Sequence, residues 1–383
     1  MFLASTFLLW ISNTSSCLSV CLLLTVCLVF SWTSSLCFVS EGSLSHVLLF
    51  LLWLLTIAFF LTTSLFVLFI SFEISLLPIV LLLLLFGYQP EKVSSSVYLL
   101  LYTVIGGLPL LFFVSGHRNE SIASLRLSSS VSHLLVSLAF FIKSPLFYFH
   151  SWLPKAHTEA PVQGSIILAG VILKFGGYGI LLIAPSFGVF SFLYLYFSLI
   201  GRLVCSIHCL RHWDLKTLIA YRRIVHIGVV SLGALLGTES GWWFSVSIIV
   251  SHSFISPLLF SLCYDLYRVT SRRALFNNFL SSLGRHICLV AALLLSINIG
   301  TPPFLSFWVE VNLYLVLRSQ FAAGLLVLAG ASFLVFLYSL LLYLKVFSRT
   351  ALVFPFSSFP FLGYLPGVVF SLLSCFSYSL FLY

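Results

Sequence analysis

From residue 64 to residue 87 the chain reads SLFVLFISFEISLLPIVLLLLLFG, and Glu73 is its one ionisable side chain. A helix of this composition is apolar on every face, so a soluble fold has no polar side to turn toward water. About 20 such residues, coiled as a helix, cross roughly 30 Å of hydrocarbon with the backbone paired internally. Comparable stretches recur along all 383 residues, separated by short polar breaks, and 61% of the residues are hydrophobic against 7% charged. Lipid is therefore the solvent of this chain. Runs such as Ile79 to Phe86, apolar at every position, exclude a β-barrel, whose strands alternate. The expectation is an all-α polytopic membrane protein with about 12 transmembrane helices.

The polar breaks place the apolar segments at 15–39, 46–62, 64–87, 97–115, 130–149, 162–184 and 187–209, then at 217–237, 242–266, 284–315 (interrupted), 320–347 and 358–383. None of the breaks is long enough to hold a soluble domain. The formal charge of +9 is assigned mainly to arginines in loops beside lipid headgroups. The pairs Arg222-Arg223 and Arg272-Arg273 are too short to form a nucleic-acid-binding face, and no nucleic-acid partner is expected. The nine cysteines contain no CxxC; Cys205 and Cys209 lie one helical turn apart without a matching ligand pair, and all nine read as small apolar fillers. No HExxH or similar grouping makes a metal site, and no dinucleotide fingerprint, P-loop or nucleophile elbow is present. The N-terminal MFLASTFLLW has no basic region and the first Lys or Arg is Lys92, which argues against a secretory or transit peptide.

Two segments carry proline where a spanning helix should be continuous: Phe141-Ile-Lys-Ser-Pro145 and Asn298-Ile-Gly-Thr-Pro-Pro-Phe304. Proline lacks the amide donor and clashes with the preceding turn, so each segment should break where neighbours satisfy the freed groups. Paired breaks of this kind mark ion sites in transporters, with a kink or helix end as the plainer alternative.

The ionisable residues inside apolar sequence are the candidate site. Glu73 is the only Asp, Glu, Lys or Arg between Glu41 and Glu91. A charge at the centre of a spanning helix costs about 3 kcal/mol on insertion scales, so such residues face a cavity or a partner. Lys174 lies within GSIILAGVILKFGGYG, far from other charges, where a moving carboxylate would tune its proton affinity; a static ion pair is the alternative. Lys143 precedes Pro145 in the first broken segment, with Glu73 as its candidate partner. Glu310 follows the double proline in the second, the only Asp, Glu, Lys or Arg between Arg285 and Arg318. His252, in IIVSHSFISPLLF, offers an imidazole that titrates near neutrality. His226 is a weaker candidate, equally readable as a packing histidine, and His150 and His157 read at least as well as helix-end hydrogen-bonding groups.

The stretch FYFHSWLPKAHTEAPVQGSIILAGVILKFGGYG at 147–179 resembles the signature of the subunit 4 family of mitochondrial NADH:ubiquinone oxidoreductase, respiratory complex I, one of its antiporter-like membrane subunits. FEISLLPIV at 72–80, DLKTLIAYRRIVHIG at 214–228, SHSFISPLLF at 251–260 and NIGTPPFLSFWVE at 298–310 agree with it. The resemblance implies inverted repeats with two broken helices, placed at 46–184 and 185–347 between a shortened N-terminal helical region at 1–45 and a C-terminal helix at 348–383. It implies that Glu73 and Lys143 form an input-side ion pair, that Lys174 is the central lysine, His252 the connecting histidine and Glu310 the terminal acid of a proton relay. Glu310 stands where sister subunits usually carry lysine. Arg222 and Arg223 replace small residues of the family motif beside His226. The implied function is proton translocation coupled to NADH:ubiquinone oxidoreduction in the mitochondrial inner membrane, among neighbouring antiporter-like and other membrane-arm subunits and lipids. NADH, flavin, iron–sulfur clusters and ubiquinone are expected in other subunits, and no cofactor or metal in this chain. A subunit of a multi-subunit cation/proton antiporter and a non-pumping structural subunit are the alternatives.

Overall fold

The computed structural model describes residues 43–87, 89–117, 130–183, 190–270 and 285–347, with isolated positions between 22 and 29. The expected C-terminal helix at 348–383 lies outside the described residues, and so does almost all of the 1–45 region. The chain divides into two compact units, Met1–Tyr194 and Leu195–Tyr383.

The first unit contains α1 (Ser43–Leu61), α2 (Leu65–Ile74), α3 (Leu76–Phe86), α4 (Lys92–Gly116), α5 (Ser130–Lys143), α6 (Trp152–Glu159) and α7 (Val162–Ile167). A π-helical turn, Leu168–Ile172, joins α7 to α8 (Leu173–Ile183). The second contains α9 (Phe190–Arg211), which begins just before its boundary, α10 (Leu215–Leu235), α11 (Glu239–Thr270), α12 (Arg285–Ile299), α13 (Leu305–Gln320) and α14 (Ala322–Phe347). Every regular element among the described residues is helical, as the need to pair the backbone inside lipid requires. Seven helices among them are long and apolar enough to cross a membrane: 44–61, 65–86, 92–116, 162–183, 215–235, 240–267 and 323–344.

Both proline-marked breaks are present, and they close in the same way. In a continuous helix Phe141 O would accept from residue 145, which is proline. Leu146 N donates to Phe141 O instead, at 3.2 Å, and the carbonyl of Ile142 accepts the indole Nε1 of Trp152 at 3.2 Å. In the second unit Thr301 N donates to Ser296 O at 3.3 Å, across a Gly300 in the left-handed region (φ +78°), and Ile297 O accepts Ser306 Oγ at 2.7 Å. Each break thus ends on a widened turn, and the next carbonyl is satisfied by a side chain from the start of the following helix. The 130–149 segment accordingly stops at Lys143, six residues earlier than its apolarity suggests.

Burial separates the faces. Helices α1, α4 and α14 expose large apolar side chains such as Phe50, Leu108, Phe112, Leu326 and Phe333, while 162–183 and 215–235 are almost wholly enclosed. In the first unit an aromatic core holds α1, α2, α5 and α8: Phe59 stacks on Phe175 with centroids 4.1 Å apart, and Phe72 meets Phe140 at 5.5 Å.

Candidate functional site

In the first unit, the residue preceding the break and the acid of α2 meet. Lys143 Nζ lies 3.0 Å from Glu73 Oε1, donates to Phe72 O at 2.9 Å and sits 3.1 Å above the centre of the Phe72 ring. The lysine is 3% exposed and the glutamate 22%. A bare ammonium in such a place would lose its hydration uncompensated; the carboxylate, a carbonyl and a ring face replace that water. Glu73 fits because α4 offers no side chain opposite it: a Cβ on Gly107 would lie 2.5 Å from Oε1.

Lys174 is the second residue of α8, two residues after the π turn ends, and is 7% exposed. The π turn adds a residue to one helical circuit and resets the direction in which the following side chains leave the axis, a feature that recurs at functional sites. Phe175, the next residue, enters the aromatic core that also contains Phe72. The glycines after it let α8 lie directly on α5 and the start of the break: a Cβ on Gly176 would lie 2.7 Å from Ser144 N, and one on Gly179 would overlap the Phe140 ring.

In the second unit His226 of α10 and His252 of α11 face each other with ring centroids 4.0 Å apart. Glu310 of α13 pairs with Arg202 of α9, Nη2 to Oε1 at 3.5 Å. Arg202 is 2% exposed and has no counterpart among the candidates read from sequence. The signal was there, because it is the only Asp, Glu, Lys or Arg between residues 184 and 210.

Arg222 and Arg223, within the apolar segment 217–237 read from sequence, are both inside α10 and buried. Arg222 sits one turn before His226 with its guanidinium carbon 5.7 Å from the Tyr338 ring centre, and Arg223 lies 4.5 Å from that of Phe260. A guanidinium is more weakly hydrated than an ammonium and loses less on leaving water for a ring face, which lowers the cost of burying the doublet. His157 is fully enclosed in α6, and His150 lies just before that helix, its ring stacked on Phe147. No group of three or more His, Cys, Asp or Glu that could hold a metal occurs among the described residues.

The arrangement gives each unit an enclosed ionisable pair, at the first helix break in one and on the helix that follows the second break in the other. Such pairs store and release charge by changing separation; they do not make or break carbon bonds.

Residues 62–338 match the family model described as NADH:quinone oxidoreductase/Mrp antiporter, TM. The chain is 37% identical over 310 residues to NADH-ubiquinone oxidoreductase chain 4 of Artemia franciscana, covering 78% of this chain and 80% of that one. Its fold is similar to that of a chain in respiratory complex I from Thermus thermophilus with bound NADH, at a TM-score of 0.81 and 22% identity, over 94% of this chain and 80% of the other. It is also similar to a chain in the Mrp complex from Dietzia sp. DQ12-45-1b, at a TM-score of 0.80 and 22% identity, over 93% of this chain and 42% of the other.

Proposed function

Because the chain belongs to the NADH:quinone oxidoreductase/Mrp antiporter transmembrane family, we propose that its embedded charges move protons across a membrane as part of a proton-pumping respiratory complex I. It is a membrane-arm subunit of the NADH:ubiquinone oxidoreductase assembly and associates there with other antiporter-like subunits. Its membrane is the mitochondrial inner membrane, and its own chemistry is translocation, with the redox groups held by other subunits.

The observation that carries this reading is the Glu73–Lys143 pair, 3.0 Å apart and seated at the first helix break. At this separation each charge stabilises the other. When a neighbouring subunit changes its charge, the pair opens, the field at Lys174 changes, and that lysine gains or gives up a proton. In the second unit His226 and His252, with ring centroids 4.0 Å apart, are the imidazoles that pass protons on, and Glu310 serves as the terminal acid, with Arg202 as its counter-charge. Coupling needs only a shift in spacing, because the Coulomb energy of a pair in a poorly polarisable interior falls steeply with distance.

The test is native separation of the source membranes in mild detergent, with an NADH dehydrogenase stain and peptide identification of this chain in every band. Comigration with the active high-mass band is expected. Migration apart from that activity, together with sodium-dependent proton flux that needs no NADH, would contradict the assignment and support an independent cation/proton antiporter.

A further inference from the structure

Among the described residues of the second unit, Arg202, Arg222 and Tyr338 carry buried polar atoms that lack a hydrogen-bond partner. Arg202 from α9 pairs with Glu310 from α13, and the guanidinium carbon of Arg222 from α10 lies 5.7 Å from the ring centre of Tyr338 from α14; the two pairs are within electrostatic reach of one another. The only carboxylate among these four is Glu310, and its Oε1 meets Arg202 Nη2 at 3.5 Å. Arg202 Nε and Nη1, Arg222 Nε and Nη2 and Tyr338 Oη are all buried and have no hydrogen-bond partner among the described residues. Arg222 and Arg202 are each 2% exposed, so bulk water does not satisfy them.

Buried polar groups in folded proteins are almost always hydrogen-bonded, and an unsatisfied charged donor is the most costly kind. Two cations and one anion leave this cluster one negative charge short, and every guanidinium atom awaiting a partner is a donor. The missing component is therefore an acceptor, small enough for a helix interior and singly negative. We propose that Arg202, Arg222 and Tyr338 bind a monovalent inorganic anion of the halide class beside Glu310. Two guanidinium groups supply charge-assisted N–H donors and the tyrosine supplies an O–H donor, the ligand set a desolvated chloride requires. Arg222 is the residue that makes the site: without it the pair Arg202–Glu310 is neutral and calls for no second anion. The bound anion gives Glu310 a charged neighbour whose occupancy depends on the medium.

The proposal is tested on the intact complex in lipid nanodiscs, without NADH, by equilibrium binding of radiolabelled chloride competed with bromide or with gluconate. Wild-type complex should show a saturable component displaced by bromide and not by gluconate. Arg222→Ser should remove one equivalent of it. Tyr338→Phe keeps both charges and the ring, and should weaken that equivalent roughly tenfold by deleting one hydrogen bond to a charged ligand. If Arg222→Ser prevents assembly, Tyr338→Phe decides the matter. No saturable chloride, which would mean that water satisfies these donors, overturns the proposal, as does binding that neither substitution alters. Binding is read without turnover, so this result stands or falls apart from the assignment of proton pumping.

Discussion

At the scale of single residues, the Glu73–Lys143 pair is the most sharply defined feature. Removing one partner from an ion pair with a buried lysine strands a charge, whereas removing both leaves two neutral side chains. Glu73→Gln and Lys143→Met should therefore each destabilise the assembled enzyme, and the double variant should be less damaging than the sum, with a coupling on the order of 1–3 kcal/mol. Thermal inactivation of the four forms measures this; additive effects would show that the 3.0 Å contact contributes nothing. Gly107 gives a second test. A methyl group there would meet Oε1 at 2.5 Å and push the carboxylate off its partner, whereas Gly116 on the same helix has nothing within 4 Å of its Cβ position. Gly107→Ala should lower proton pumping toward the level of Glu73→Gln while Gly116→Ala leaves it unchanged, and equal pumping in both alanine variants would contradict this placement of the acid.

At the scale of elements, the two breaks share one solution: a widened last turn, then a carbonyl closed by Trp152 Nε1 in one unit and Ser306 Oγ in the other. Trp152→Phe keeps the ring volume and removes the donor, leaving Ile142 O unsatisfied at a cost of about 1–3 kcal/mol. Hydrogen exchange at the amides of Ser144 and Leu146 should speed up accordingly, and unchanged protection would mean that the indole is incidental to the break. The breaks were legible in sequence because proline announces a missing donor. The π turn at Leu168–Ile172 was not, since LAGVI has nothing that separates it from an α-helical run. The surroundings of Arg222 and Arg223 were not legible for a related reason: their segment was drawn at 217–237, but the aromatic faces of Tyr338 and Phe260 that receive them lie over a hundred and about forty residues further on. Arg202 was overlooked because its partner lies 108 residues away, although its isolation in an apolar run marked it as surely as Glu310 was marked.

At the scale of the molecule, apolarity determined where the helices lie, and the buried charges determined which of them matter. Each unit has a proline-marked break and an embedded ion pair, so the fold presents two charge-bearing modules of similar construction. The exposed apolar faces of α1, α4 and α14 suit lipid or the neighbouring subunits of the membrane arm. The central claim is that charge held in these helices is moved as protons, and Lys174 carries that claim most directly because it is enclosed in the first unit on the helix that follows the π turn. The decisive measurement is the number of protons translocated per NADH oxidised by the intact complex carrying Lys174→Met, in sealed vesicles, against the unsubstituted enzyme. Loss or a strong reduction of translocation with the complex still assembled is the predicted result; an unchanged ratio would contradict the account.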